Sequence, residues 1–316
     1  MAKASDFEGK KQDELFYFVD YSPEEAERVG YSNYSYWGSV IQNFLKQKVA
    51  VFCLILFLAL TVFSFIALGI GKYHYTTLIS DSSKAFIKPN SEYWFGTDNL
   101  GRDYWCQVWY ATQVSIRLAL IVAVGESILG VIIGLIWGYV RKLDRFFTEL
   151  YNIFDNIPTA IVLILISYVA TPSIWTMVLG MAIKGWIEMA RFIRNQILII
   201  RDRDYNVASR CIGTPTIRIV LRNLLPYLVS VIMLRMALTI PEAIGNEVFI
   251  TYIGLGLSVE TPSLGNLVND GRKVMMQAGL RYQLLYPTLI LSFVTIAFYL
   301  IGNAFSDAAD PKNHLQ

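Results

Sequence analysis

Three cysteines and two histidines are all that this 316-residue sequence holds of the softer metal ligands. Cys53 falls in an apolar run, Cys106 in a loop and Cys211 in a basic segment. No two of the thiols share a compartment, so neither a disulfide framework nor a zinc knuckle can be built from them. The sequence has no glycine followed five residues later by Gly-Lys-Ser/Thr, which excludes a P-loop for phosphate, and it has no HExxH. A nucleophile elbow of the G-x-S-x-G kind is missing too. Before residue 46 there is no apolar stretch of the kind a secretory signal needs. Charge is scarce, with Asp, Glu, Lys and Arg at 16% and a net charge of +2. The expectation is therefore a non-catalytic chain with no cofactor, no bound metal and no nucleic-acid partner.

What is abundant is apolar surface, at 54% hydrophobic residues and a mean hydropathy of +0.43. Crossing a bilayer core of about 30 Å takes roughly 20 apolar residues in helix. Residues 49–70 supply 22 without a charge. Further runs at 118–140, 146–170, 174–198, 227–250 and 284–305 bring the expectation to six transmembrane helices, an all-α integral membrane protein in contact with lipid.

Lys and Arg in short loops stay on the cytoplasmic side. Arg141, Lys142 and Arg145 follow the second run, and Arg191, Arg194, Arg201, Arg203, Arg210, Arg218 and Arg222 flank the gap between the fourth and fifth. This gives a cytoplasmic N-terminal segment 1–48, a first transmembrane helix 49–71 and an external loop 72–113. A five-helix core follows over 114–306, with a cytoplasmic loop 199–226 and an external segment 251–283, and the tail 307–316 is cytoplasmic. Residues 1–35 suggest no function.

Ionisable groups inside spans are rare and face protein or water. Arg117, Glu242 and Glu247 lie near span ends, where snorkelling is expected. Lys184, Glu188 and Arg191 follow one helical face and are expected to pair. Asp155, Asn156 and Pro158 fall inside the third run. Pro158 removes a donor and disfavours helix at Ile157, so a kink bordering a polar passage is expected. These three, with Arg235 and Glu242, are the candidate translocation-path residues; Glu126 is a further buried acid, and Pro241 is expected to break the fifth run. Gly130, Gly134 and Gly138 share one face and permit close helix packing.

The 199–226 segment reads as two short helices at a fixed elbow. Asp204 is placed to cap a helix from Tyr205, Gly213 to end it in left-handed geometry, and Thr214 to cap a second helix with Pro215 in its first turn. Val207, Ala208, Cys211 and Ile212 are expected to be exposed on the first, and Ile217, Val220, Leu221, Leu224 and Leu225 to form a stripe on the second.

Four motifs carry a resemblance. YNVASRCIGTPTIRIVLRNLLP, residues 205–226, resembles the EAA loop of ATP-binding-cassette importer permeases, with Gly213 and Pro226 at the family spacing and the triplet reading Val207-Ala208-Ser209, without its glutamate. WFGTDNLGRD, residues 94–103, is similar to the outer-loop signature of C-type permease subunits of oligopeptide and dipeptide importers. YIGLGLSVETPSLGNLVNDGR, residues 252–272, resembles their outer segment before the last helix, with Leu264 in place of a usual Trp, and DAADP at 307–311 resembles their C-terminal signature.

The resemblance implies a type I ABC importer permease fold, MetI-like, in the cell membrane, forming half of the path of an ATP-driven peptide importer. It implies a second homologous permease, two ABC ATPase subunits, an external peptide-binding protein and a peptide in transit as partners. The coupling residues would be Tyr205, Val207, Ala208, Ser209, Arg210, Gly213, Thr214, Pro215, Arg218 and Pro226. The external binding-protein face would be Gly96, Thr97, Asp98, Gly101, Arg102, Asp103, Pro262, Ser263, Gly265 and Asn266. From the residues themselves, Gly96, Asn99 and Gly101 suit tight turns, and Asp98, Arg102 and Asp103 suit a charge clasp. A nickel importer of the same family, to which the single external His74 gives little support, and an ion-coupled secondary transporter are the alternatives.

Overall fold

The long uncharged run at 49–70 folds as one continuous helix because nothing in it breaks backbone pairing and no water competes for its amides in lipid. In the computed structural model, which describes residues 36–71, 84–171, 173–257 and 261–309, this is α2 (Lys48–Ile70), preceded by the amphipathic α1 (Tyr36–Lys46). The expectations for residues 1–35 and 72–83, His74 among them, and for Asp310 and Pro311 lie outside the described residues.

The chain continues through α3 (Tyr104–Tyr139), α4 (Arg141–Asp155), α5 (Thr159–Val169) and α6 (Ile174–Ile200). Then come α7 (Asp204–Cys211), the single turn α8 (Thr216–Ile219), α9 (Leu225–Tyr252), α10 (Leu264–Val274) and α11 (Tyr282–Ala309). Helix α3 starts well before the apolar run at 118, so Cys106 lies in a helix and not in a loop. Its start is fixed by Asp103, whose carboxylate accepts from the Trp105 amide at 3.2 Å, a cap that hydropathy cannot reveal.

The expected third span is broken in two. Asn156–Pro158 separates α4 from α5 at a bend of 75°, as the missing proline donor requires. The break is chemically closed: the Ile157 carbonyl accepts from Lys184 Nζ at 2.9 Å. Pro241, by contrast, does not break α9, which runs on to Tyr252. Close packing supports the backbone there, with Gly302 of α11 set directly against Ala237.

Among the described residues four helices are long and apolar enough to cross a membrane, and five if the bent pair is one span. The count of six is not reached by length and composition alone, because the 27-residue α6 carries Lys184, Glu188, Arg191 and Arg194. Membrane character is also written on the surface. Phe52, Ile55, Phe65, Leu165, Trp175, Leu179, Leu289 and Ile296 all point outward, a distribution that only lipid satisfies.

The interior is organised around α3. Leu118, Val122, Ile240, Ile244 and Val294 form a core shared by α3, α9 and α11, and Phe57 of α2 meets Phe298 of α11 edge-on at 4.7 Å. Gly130, Gly134 and Gly138 face Met189, Ile193 and Ile197 of α6 as the spacing predicts; a Cβ at position 134 would come within 2.6 Å of the Ala190 carbonyl oxygen. Gly134→Val is therefore expected to force the two helices apart at a cost of roughly 1–3 kcal/mol. A clearly lower unfolding midpoint of the purified chain in detergent is the check, and an unchanged midpoint would remove the close-packing role.

Candidate functional site

The candidate functional residues gather at the two ends of α3 and in a polar belt between them. At about 1.5 Å per residue the 36 residues of α3 span about 54 Å, more than the hydrocarbon core.

At the end where α3 starts, the 94–103 motif is a closed clasp. Gly96 and Gly101 take positive φ of 76° and 73°, which an L side chain rarely tolerates. Asp98 accepts from the amides of Leu100 and Arg102, both at 2.8 Å, and from Arg102 Nε at 2.6 Å. Thr97 donates to the Lys84 carbonyl at 2.6 Å and pairs with Asp103 in a single β-bridge. Asp103 does not join the ion pair, because its carboxylate is committed to the α3 cap. Gly96, Thr97, Asp98, Gly101, Arg102 and Asp103 are all buried; the outward residues are Trp94, Asn99 and Leu100.

The second motif at this end is held from below. Glu247 is fully buried, which corrects the expectation that it snorkels from a span end. It accepts from Ser263 Oγ, from Thr251 Oγ1 at 3.2 Å and from the Gly265 amide at 3.2 Å. Ser263 also caps α10 by accepting from the Asn266 amide at 3.1 Å. Pro262 and Gly265 are buried too, while Asn266 reaches back to the Thr261 carbonyl at 3.3 Å. A signal was present, an acid sixteen residues before the serine of a Pro-Ser pair, but nothing in the sequence says that the two meet.

The polar belt joins α3, α4, α6 and α9. Arg235 of α9 lies 3.4 Å from Glu188 of α6 and 3.8 Å from half-exposed Glu242 of its own helix. Lys184 lies 3.7 Å from Glu188, as the spacing predicts. Arg191 goes elsewhere, to Asp155 at 4.0 Å and over the Tyr151 ring at 3.9 Å. Asp155 and Arg235 therefore line one cavity of about 460 Å³ with Tyr151, Glu188 and Arg191. Asn156, exposed and bonded to the Asn152 carbonyl at 2.6 Å, and Pro158 line neither this cavity nor its neighbour at Glu126.

At the far end of α3 sits the elbow. Helix α7 begins at Asp204 itself with Arg203 before it, so Asp204 is not the cap, and Thr214 does not cap a second helix either, since α8 starts after Pro215. Gly213 is left-handed, at φ 79°, as expected. The second helix is not a separate element: Thr216–Tyr252 is a single helical run through a widened turn at Val220–Leu224. Pro226 has no N–H for the ordinary i→i−4 bond, and a turn of π geometry ahead of it is one way for a helix to absorb that loss.

Two polar knots fix the elbow. Asn206, fully buried and missed in the sequence, donates to the Ile200 carbonyl at 2.8 Å and accepts from Asn223 at 2.9 Å, tying α7 to both long helices. Asp202 meets Arg210 and Arg201, each at 3.1 Å, and Arg141 at 3.3 Å. Hydrogen bonds from Arg210 and then Arg201 hold its carboxyl below the ordinary Asp value. A depressed carboxylate supports the fold above its unfolded pKa, so this support is present at neutral pH and lost only as acid protonates it. Arg201 also donates to the Gly138 carbonyl at 2.8 Å, anchoring the knot to the end of α3. The elbow exposes apolar side chains, Tyr205, Val207, Ile212, Ile217 and Leu221, among the exposed charges of Arg203, Arg210, Arg218 and Arg222. Leu224 is instead buried.

Residues 130–314 match the family of binding-protein-dependent transport system inner membrane components, and residues 35–89 match the N-terminal TM domain of oligopeptide transport permease C. An oligopeptide transport system permease protein of Streptococcus pneumoniae, AmiD, is 37% identical over 95% of this chain and 98% of its own length. A dipeptide transport system permease protein of Bacillus subtilis, DppC, is 31% identical over 95% and 93%. Among solved structures, the MetNI methionine ABC transporter in an inward-facing conformation matches with a TM-score of 0.53 at 17% identity, covering 63% of this chain and 94% of that one. That likeness is one of fold, and it agrees with the helical plan described above. With more than half its length inside one family's boundaries and relatives aligned almost end to end, the chain belongs to the binding-protein-dependent transport system inner membrane components.

Proposed function

We propose that this chain is the non-catalytic permease subunit of an ATP-driven peptide importer and forms half of its translocation path. The observation that carries the reading is the elbow: exposed apolar side chains presented beyond one end of α3 on a short helix bonded both to α6 and to the 216–252 helical run. The peptide assignment follows the names of the similar permeases. The side with Arg141, Arg201 and Arg210 is cytoplasmic, by the bias of basic residues, and so are both termini. ATP hydrolysis belongs to two ATPase subunits docked on the elbow. With Val207 where the family pattern has glutamate, that contact is made by apolar packing.

The geometry gives the coupling a mechanical form. Asn206 links α7 to the last turn of α6 and, through Asn223, to the foot of the 216–252 helical run. That run carries Arg235 and Glu242, and α6 carries Glu188. A push on α7 therefore shifts the two helices that the Glu188–Arg235 pair bridges, and alternating access opens or closes the path there. At the opposite end Trp94, Asn99 and Leu100 are presented by the clasp towards an external peptide-binding protein.

The test is purification of the tagged chain from its native membrane. Co-purified ATPase subunits, a second permease and peptide-stimulated ATP hydrolysis are the expected result. An isolated chain without ATPase, moving solute on an ion gradient, would overturn the proposal.

A further inference from the structure

Beside the large cavity lies a small one between α3, α6 and α9, lined by Glu126, Lys184, Glu188, Arg235 and Glu242 with Thr159, Thr239 and Asn246 among others. Its charged lining is three carboxylates against two cations. The surplus has an address. Glu188 holds Lys184 and Arg235, and Glu242 reaches Arg235, whereas Glu126 makes no hydrogen bond or ion pair among the described residues. Glu126 is 9% exposed, in the middle of α3. Opposite it α6 is notched by Gly185, where a Cβ would overlap the Glu126 carboxylate. An acid that is nine-tenths buried, unpartnered and given room by a glycine is costly to keep in its charged form unless a cation pairs with it.

The room available limits what that cation is. A volume of about 20 Å³ for the centre of a water-sized group admits about one such group. A guanidinium is too large, and among the described residues no three His, Cys, Asp or Glu side chains stand together as a metal site. A primary ammonium is the size of water, carries one positive charge and offers three donors. We infer that this cavity binds the α-ammonium group of a peptide in transit, with Glu126 as its counter-ion and the Lys184–Glu188–Arg235–Glu242 chain as its fixed wall. The inference rests on the peptide-importer reading.

It is tested in proteoliposomes holding the full transporter with its binding protein, using a labelled tripeptide in free and N-acetylated forms. Glu126→Gln keeps the volume and removes the charge, and is expected to slow uptake of the free peptide about tenfold, a barrier change of about 1.4 kcal/mol, while leaving the rate of the acetylated form as it is in wild type. Glu126→Asp, which keeps the charge, is expected to restore much of the loss, and the selectivity for the free over the acetylated form is what a purely structural role would not produce. An E126Q protein that matches wild type on the free peptide, or that slows both forms equally, would overturn the inference. So would wild-type uptake that falls when choline replaces Na⁺ and K⁺ and loses that dependence in E126Q, since the occupant would then be an inorganic cation. Wild type that moves neither form, with its ATPases active, would instead remove the importer reading beneath it.

Discussion

Deleting Gly213–Pro215 abolishes peptide uptake while the chain still inserts in the membrane, if the elbow couples ATPase motion to the path. Gly213 is the point at which the chain turns back after α7, at a φ of 79° that other residues adopt only with strain. The Thr214 amide closes the turn on the Ser209 carbonyl at 3.0 Å, and Pro215 stands immediately before α8 as its cap residue. Without the three residues α7 would run directly into α8. Tyr205, Val207 and Ile212 would then leave the surface they share with Ile217 and Leu221. The apolar spans are untouched, so insertion is expected to survive. A fall of at least about a hundredfold in ATP-dependent uptake, near 3 kcal/mol of lost coupling, is expected at wild-type levels of chain in the membrane. Undiminished uptake by the deletion protein would sink the coupling role of residues 205–226.

The second large effect is expected at Glu247. Its carboxylate satisfies two hydroxyls and one amide in a fully buried place, and it is what holds the 261–267 segment against the helices. Glu247→Ala leaves those donors without an acceptor, and each buried unsatisfied group costs about 1–3 kcal/mol. The loss is expected as a strongly lowered unfolding midpoint in detergent and as faster amide exchange over 261–267, with the elbow unchanged. Glu247→Gln, whose carbonyl still accepts, is expected to be much milder. Equal behaviour of the Ala variant and wild type would show that the segment is held by its packing alone, chiefly Leu264 and Leu267 with Tyr104 and Val108.

Much of the plan is legible because membrane solvent makes its demands locally. A run such as 49–70 has one outcome in lipid, and Gly213 or Pro158 imposes its backbone geometry whatever lies around it. The glycines at 130, 134 and 138 declare a packing face by spacing alone. Cap positions were less legible. Asp204 and Thr214 have the right chemistry for caps, yet the helices start at Asp204 itself and after Pro215, in a stretch anchored by contacts distant in sequence, Asn206 to Asn223 and Asp202 to Arg141. Pro241 likewise leaves α9 unbroken, one turn after Ala237, where Gly302 of α11 packs closely.

The sequence by itself determined the class of the molecule and the motifs at its two ends, because hydropathy and turn chemistry act within a few residues. Only the tertiary structure decided which charges meet. Glu247 became an internal anchor and not a snorkelling end. Arg191 left Lys184 and Glu188 for Asp155, and Glu126 came to rest alone against Gly185. The reason is physical: a buried charge is governed by whatever partner the packing of distant helices brings within a few ångströms, and no local pattern encodes that distance.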